Sequence, residues 1–392
     1  MIREQKIIVF SDRWFGKYLW LIWVIMFFVG YYFVLFAPWD DPNMKYRTFT
    51  QQLPMRTTVG LIRFLELICI FYLTYFLFRY QYVKYEYFLR VICWIVIVSF
   101  VFGFVDYTVT KGAIRLFLMP QHYVLDRFTG LSVEPRSVGQ VYGFTILLII
   151  ALGLKEKKIK LLYIVTIIFA ATGIALSFSS TAIGYLLIVL FLYFLVGRVK
   201  IKYAIMAILL IGIGFFYMIR NPDFVEHQEY RIAQVALENY ASQIPGVPFW
   251  INSFEVFDRT ALAFLYLHPG NIPLGVGPNT VNIPANKYLS DYDVEVYKGQ
   301  IDTAPAVGVV NILSSSGAVG LMIYFFAVFN LLRFALRNNN YYLIDLLFLF
   351  LAYFLLNFNP VYFMIMGIVC GNIYRIENEK LEENVVNSNT RA

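Results

Sequence analysis

The sequence predicts an all-α integral membrane protein that crosses its bilayer about ten times and keeps both termini on the cytoplasmic side. Three observations predict this class: an apolar composition, ten apolar runs of helical length, and basic residues gathered between those runs. Of the 392 residues, 60% are hydrophobic and 15% are charged, and the mean hydropathy is +0.65. Soluble domains are about 45–50% apolar and about 25% charged. The bilayer is therefore the expected solvent.

Ten apolar runs are long enough to be membrane spans, since a spanning helix needs roughly 20 apolar residues. They divide the chain into spans 1–7 within 1–219, with an outer loop at 110–137, and spans 8–10 within 307–376. Between them, 220–306 form a large structured outer loop, and 377–392 form a disordered cytoplasmic tail. The predicted spans are 18–37, 59–78, 88–109, 138–154, 159–178, 181–196, 203–219, 307–332, 342–356 and 361–374.

The basic residues support this topology independently. With the amino terminus inside, 19 of the 32 lysines and arginines fall in segments assigned to the cytoplasm, and every such segment contains some. Cytoplasmic loops carry this excess in membrane proteins. The net charge of +7 is therefore a topology signal, and we expect no nucleic-acid partner.

The cysteines and the amino terminus exclude other classes. Cys69, Cys93 and Cys370 all lie in apolar runs without a CxxC or Cys/His pattern, so neither a disulfide framework nor a zinc site is expected. No small-residue cleavage site follows the first apolar run, which we interpret as a retained anchor rather than a signal peptide.

Arginines on the outer side are the main candidates for ligand binding, because the topology rule does not require them there. A guanidinium matches pairs of phosphate oxygens, so a group of arginines at the outer face suits a lipid-linked phosphate or pyrophosphate. Alternatively, they pair with outer acids such as Asp223, Glu226 and Asp258 or with lipid headgroups. The nine positions, with Arg63 inside span 2, are Arg47, Arg56, Arg63, Arg115, Arg127, Arg136, Arg220, Arg231 and Arg259.

Two further charged features accompany these arginines. Arg63 and Glu66 lie three residues apart within span 2, where charges are costly and either pair or line a cavity. Glu134 and Pro135 lie directly before span 4, where proline fits the first helical turn and a carboxylate is favoured by the helix dipole. Glu134 with nearby arginines also provides a general base and an anion clamp.

Four stretches of the chain resemble the Wzy-type O-antigen and exopolysaccharide polymerases, which are similar in turn to O-antigen ligases. The order of the stretches, together with about ten spans, is what carries the resemblance. They are Arg-x-x-Gly-x-x-x-Glu-Pro at 127–135, Ser-Phe-Ser-Ser-Thr-Ala at 177–182, the run of Arg259, His268-Pro269 and Gly-Val-Gly at 259–277, and Asn-Ile-Leu-Ser-Ser-Ser-Gly-Ala-Val-Gly at 311–320.

The resemblance implies a GT-C-like glycosyltransferase of the bacterial inner membrane that acts at its periplasmic face without a metal or other cofactor. It would transfer a growing glycan from undecaprenyl pyrophosphate onto a lipid-linked repeat unit. The expected partners are these lipid-linked oligosaccharides, membrane lipids, a chain-length regulator and a flippase. The expected catalytic residues are Glu134, Arg136, Arg259 and His268, with Glu255 and Asp302 as further candidates for the base. The expected pyrophosphate ligands are Arg63, Arg127, Arg136, Arg220, Arg231 and Arg259.

Two alternative functions stay open at this point. An O-antigen-type ligase would use the same donor, but the His-Asn pair that such ligases carry before the helix at 307–332 is replaced here by Ala306 and Val307. A transporter of lipid-linked oligosaccharide would need no chemistry. Transporters are typically built from repeated halves with broken helices, and the sequence contains no recognisable repeat.

Overall fold

The structure is a computed structural model in which helices are the only regular elements of the described residues. Four helices are long and apolar enough to cross a membrane: α1 (Gly16–Phe36), α2 (Leu53–Arg79), α3 (Tyr85–Thr108) and α8 (Gly308–Arg337). The shorter α4 (Leu161–Ser177) is also apolar. The described residues are 15–36, 52–80, 82–83, 85–110, 113, 128–131, 138, 141–146, 148–149, 160–177, 243–290, 305, 307–337, 360, 363–371 and 374.

These helices confirm an all-α chain suited to a membrane. α1, α3 and α4 match the predicted spans within three residues at each end, whereas α2 begins six residues before its predicted span. α8 continues five residues past its predicted end. Helical residues also occur inside the predicted spans at 138–154 and 361–374. The predicted spans at 181–196, 203–219 and 342–356, and both termini, lie outside the described residues, so the count of ten stays a prediction.

The described residues belong to two compact units. The first unit contains α1, α2 as far as Thr74, residues 243–290, α8 as far as Phe334, and 363–370. The second unit contains the end of α2, α3, α4, and the described residues of 128–149.

In the first unit, α1 runs antiparallel to both α2 and α8. At one end of α1, the Phe15 ring lies 5.6 Å from the Phe71 ring of α2 and 5.7 Å from the Tyr324 ring of α8. Near the other end, Tyr31 Oη shares a 2.9 Å hydrogen bond with Thr58 Oγ1, close to the start of α2. At this same end, Gly277 packs against Gly30 of α1 and donates to the carbonyl of Ser315, in the first third of α8. α2 and α8 therefore run parallel to each other.

The part of the predicted outer loop that the structure describes is compact and helical. It contains α5 (Phe249–Asn252), α6 (Val256–Leu267), a 3₁₀ turn at Pro269–Asn271, α7 (Asn282–Ala285) and a 3₁₀ turn at Asn286–Tyr288. In the sequence, 254–267 alternate aromatic and polar residues, which predicts a helix lying at the membrane surface, and α6 is the helix found there. However, nine of its twelve residues are buried, so α6 is the core of this region rather than a helix at the membrane surface.

In the second unit, α3 and α4 lie side by side and run parallel. Glu86, in the first turn of α3, lies 3.7 Å from Lys160, immediately before α4. Further along both helices in the same direction, the Phe100 and Phe169 rings stack with their centroids 4.6 Å apart. The burial of these rings against each other is the kind of contact that holds two apolar helices together.

Candidate functional site

The first unit holds an irregular segment of turns, 272–280, which lies between α1, α2 and α8. α8 is interrupted at Gly317, whose φ of 68° lies in the left-handed region that glycine adopts without strain. On one side of the break, the N–H groups of Val276 and Gly277 donate to the carbonyls of Ser314 and Ser315, at 2.9 and 3.2 Å. On the other side, backbone N–H groups of α8 donate to Ile272 and Pro273. The interrupted helix thus recovers its backbone hydrogen bonds from the segment.

Glycine-to-glycine contact allows the segment to approach the helices this closely. A Cβ added to Gly277 would lie 2.4 Å from the Cα of Gly30 in α1, and a Cβ added to Gly60 in α2 would lie 2.9 Å from Pro278. Real Cβ atoms do not approach backbone atoms at such distances. The Gly-Val-Gly run that carried part of the family resemblance is therefore a packing element, because it places backbone against backbone.

α2 holds the end of the segment through polar side chains. Arg56 Nε donates to the carbonyl of Asn279, and Thr57 shares a 3.1 Å hydrogen bond with Thr280. Arg56 is only 4% exposed, so this outer arginine serves the fold. Sequence reasoning placed Arg56 among the outer arginines but gave no reason to separate it from the others. Its partner is 223 residues away in the sequence.

Arg259 lies in the middle of α6 and is 3% exposed, so its guanidinium is inside the region rather than at its surface. The neighbouring Asp258 is also buried, and its Oδ1 accepts a 3.1 Å hydrogen bond from the N–H of Val307, directly before α8. A carboxylate at a helix amino terminus is favoured by the helix dipole. Asp258 therefore anchors α6 to the start of α8.

His268 and Lys287 meet at the surface of the same region, together with Tyr288. His268 ends α6 as expected of a residue before proline. Its Nε2 lies 3.0 Å from Lys287 Nζ and 3.1 Å from Tyr288 Oη. Desolvation lowers the pKa of His268, and the Lys287 ammonium lowers it further. A neutral imidazole can accept the lysine's hydrogen bond, so Lys287 is held in place and stays exposed to solvent.

A groove of about 820 Å³, here called the aromatic groove, adjoins this surface cluster. One wall is the carboxyl-terminal half of α1, and the other is formed by 270–275. Asn271 lines the groove, and its N–H donates to the carbonyl of His268 at 3.0 Å, so the groove wall begins directly after His268 in the chain, although His268, Lys287 and Tyr288 do not themselves line it. The lining residues are Phe28, Val29, Tyr31, Tyr32, Phe33, Leu35, Phe36, Gly270, Asn271, Leu274 and Gly275.

The motif at 127–135 begins inside the second unit as a tight turn against α3. Gly130 has a φ of 56°, and a Cβ there would lie 2.7 Å from Ser99 Oγ. Ser99 Oγ accepts hydrogen bonds from the N–H of Leu131 and from Tyr142 Oη, at 3.1 and 3.0 Å. Gly130 is thus required by packing. The residues expected to act chemically near this turn, Arg127, Glu134 and Arg136, lie outside the described residues.

Four of the predicted site residues are described: Arg63, Glu255, Arg259 and His268. Arg63 is exposed on α2, two turns along the helix from the buried Arg56, and Arg259 is buried in α6. Arg220, Arg231 and Asp302 lie outside the described residues, as do the three positions of the preceding motif. Of the expected catalytic residues that are described, Arg259 is buried, His268 is half-buried, and Glu255, a further candidate for the base, is exposed directly before α6. The sequence singled out Tyr288 only as one of several outer-loop aromatics that could stack against sugar rings. It gave no role to Lys287, because no sequence spacing links Lys287 to His268.

The chain was compared with protein-family models, curated proteins and solved structures, and none of these matches it.

Proposed function

We propose that this protein is a lipid-linked glycan polymerase, which transfers a growing polysaccharide from undecaprenyl pyrophosphate onto a lipid-linked repeat unit. The observation that carries the proposal is the aromatic groove, whose wall at 270–275 follows directly in the chain from the cluster of His268, Lys287 and Tyr288. Such a site combines an apolar trough with a fixed cation, as a lipid phosphate requires. The family resemblance of the sequence supports the same substrate.

The aromatic groove suits the isoprenoid chain of the donor. Its α1 wall covers residues 28–36, in the half of the first span that the charge pattern predicts to be outer. Phe28, Tyr32 and Phe36 in this wall are all more than half exposed. An apolar chain that covers these rings removes their surface from polar contact and gains dispersion contacts with them.

The border of the groove suits the phosphate of the same lipid. Lys287 is a point charge with three donors, and the neutral His268 holds it without competing for an anion. Tyr288 adds a hydroxyl beside it. In this proposal, Lys287 binds the outermost phosphate of the lipid.

The proposed reaction is a single displacement. An acceptor hydroxyl attacks the anomeric carbon of the donor's reducing-end sugar, the bond from that carbon to the pyrophosphate oxygen breaks, and the configuration inverts. A carboxylate, for which Glu134 is the expected residue, takes the hydroxyl proton. Negative charge grows on the departing pyrophosphate, and cations already fixed around it stabilise this charge. Because both substrates are held at one bilayer depth, proximity supplies much of the acceleration.

Deletion of the gene followed by gel electrophoresis of the surface glycan tests the function itself. Loss of a polymerase leaves a single repeat unit on the acceptor, loss of a ligase leaves no glycan there, and loss of a transporter leaves lipid-linked units on the cytoplasmic side. Normal long-chain glycan after deletion overturns the proposal.

Two substitutions in a complementing copy of the gene test the site. Lys287→Gln should shorten or abolish the glycan ladder, whereas Lys17→Gln should not, although both lysines are exposed and lie over an adjacent tyrosine ring at 4.9 and 4.8 Å. Gly270→Leu should act like Lys287→Gln, because a Cβ at Gly270 meets nothing within 4 Å and the larger side chain fills the groove without disturbing the fold. Normal glycan ladders from both Lys287→Gln and Gly270→Leu would show that this groove is not the substrate site.

A transporter is the second candidate, since the interruption of α8 at Gly317 is the kind of broken helix in which transporters bind substrates. Transporters leave the backbone groups at such breaks available to their cargo. Here the segment 272–280 forms hydrogen bonds with two carbonyl groups before Gly317 and with two N–H groups after it. The break is therefore closed by the chain itself, which favours the polymerase over the transporter.

A further inference from the structure

One exposed face of α2 carries charges at the centre of the helix. This face, here called the α2 face, consists of Met55, Ile62, Glu66, Cys69 and Leu73, all of which are exposed. Their spacing of seven, four, three and four residues is the heptad spacing along which two helices pack. The stripe runs along about 27 Å of helix, nearly the thickness of the hydrocarbon layer.

Glu66 is the central residue of the 27-residue α2, and Arg63 lies beside it at the edge of the α2 face. Both side chains are exposed. Within the described part of the chain, neither forms an ion pair or a hydrogen bond. Charged groups at this depth are stable only when they pair or reach water. The sequence alone left internal pairing of Arg63 with Glu66 open, but their side chains are not joined in the structure.

We propose that the α2 face is the interface between two copies of this chain. The face carries one positive and one negative group, so it is complementary to itself under a two-fold axis along the membrane normal. Each Arg63 then reaches Glu66 of the second copy, and the four charges neutralise one another. Ile62 and Leu73 of the two copies pack above and below this layer. A lipid chain would leave both charges unpaired, and an unrelated partner would need to supply both opposite charges.

Cys69 makes this interface measurable. It lies one turn beyond Glu66 in the same seam, where the two copies' Cα atoms come close enough for a disulfide bond. It is the exposed cysteine of the three, since Cys93 and Cys370 are fully buried. Oxidation of native membranes with a copper catalyst should therefore produce a disulfide-linked dimer of the full chain.

The matched control moves the cysteine to a different exposed face. Cys69→Ser should abolish the crosslinked band. Ile95→Cys in the Cys69→Ser chain places a thiol on an equally lipid-exposed position of α3 and should give only the slow crosslinking of random collisions. Crosslinking through Cys69 no faster than through Ile95→Cys overturns the proposal.

Charge reversal separates pairing between copies from pairing within one helix. Arg63→Glu alone and Glu66→Arg alone should each lose the Cys69 crosslink, because each places four like charges in the interface. When the two variants carry different tags and are expressed together, they should crosslink and copurify with each other, since only mixed dimers are neutral. Failure of this mixed pair, with both variants present in the membrane, overturns the proposal. These outcomes do not depend on the proposed polymerase function.

Discussion

His268 and Lys287 illustrate how a single contact sets the chemistry of this surface. Burial and the lysine ammonium both lower the pKa of His268, so the imidazole stays neutral at pH 7 and accepts a hydrogen bond from Lys287. In the unfolded chain the imidazole has an ordinary pKa of about 6.5. The unfolded state therefore binds the proton more readily as the pH falls below that value, and the contact's contribution to stability declines with acid.

Removal of the lysine charge should raise the pKa of His268 only part of the way to its ordinary value. Lys287→Met removes the second cause of the shift and leaves desolvation, the larger cause, in place. NMR titration of the histidine ring in detergent-solubilised protein measures the change. Lys17→Met provides the control, because Lys17 lies at the other end of α1 from the groove. An unchanged or lower pKa in Lys287→Met would contradict the proposed electrostatic coupling.

At the residue scale, the sequence reveals the position of a polar side chain but not its surroundings. The dipeptide His268-Pro269 indicates the end of a helix, because a residue before proline is disfavoured in helical geometry, and α6 ends there. The partners of the imidazole, Lys287 and Tyr288, belong to a 3₁₀ turn that the sequence does not predict. The predicted outer arginines are identical in type, and yet Arg56 and Arg259 are buried whereas Arg63 is exposed.

At the scale of elements, the segment 272–280 and the interrupted helix α8 form one structural device. Each supplies the hydrogen bonds that the other lacks: α8 offers free carbonyls before Gly317 and free N–H groups after it, and the segment satisfies both. Neither conformation is stable by itself in an apolar environment, because unsatisfied backbone groups there are costly. The two stretches should therefore form together.

Gly277→Ala should destabilise the protein by more than about 2 kcal/mol, because φ at this position is 92° and the added methyl group would lie 2.4 Å from the Cα of Gly30. Gly270→Ala is the matched control in the same region, with open space around its Cβ, and should change stability little. Thermal unfolding in detergent compares the two. Equal unfolding midpoints would show that the segment does not pack against α1 as described.

At the scale of the whole molecule, the directions of the helices constrain the topology. If α2 and α8 both cross the membrane, their parallel directions require an odd number of crossings between them, and five are predicted. The parallel pair α3 and α4 likewise requires an odd number, and one is predicted. These parities agree with the basic-residue pattern, although the number of crossings itself stays a prediction.

Labelling of single cysteines in intact cells should reveal this topology directly. In a chain with Cys69, Cys93 and Cys370 replaced by serine, Lys287→Cys should react with a membrane-impermeant maleimide, whereas Lys17→Cys should react only after the cells are lysed. Both positions are exposed side chains, so accessibility alone does not distinguish them. The reverse labelling pattern would show that the protein has the opposite orientation in the membrane, and it would exclude a periplasmic site.

The sequence alone determined that the chain is helical and membrane-embedded, and it located α1, α3 and α4 closely. Apolar length and basic flanks are local properties that each span must satisfy by itself, so they can be read without knowledge of any partner. The sequence also singled out Gly-Val-Gly at 275–277 and the stretch at 311–320, but only because both resemble stretches of one protein family. It could not say that these two stretches meet.

Only the tertiary structure decided which polar groups serve the fold and which remain exposed. Arg56 and Asp258 became structural because a backbone carbonyl and a backbone N–H, both distant in the sequence, came within hydrogen-bonding distance of them. Arg63 and Lys287 remained exposed because the helices around them turn other faces inward. Membrane depth follows from composition along the chain, whereas the partner of each charge depends on long-range packing that composition does not encode.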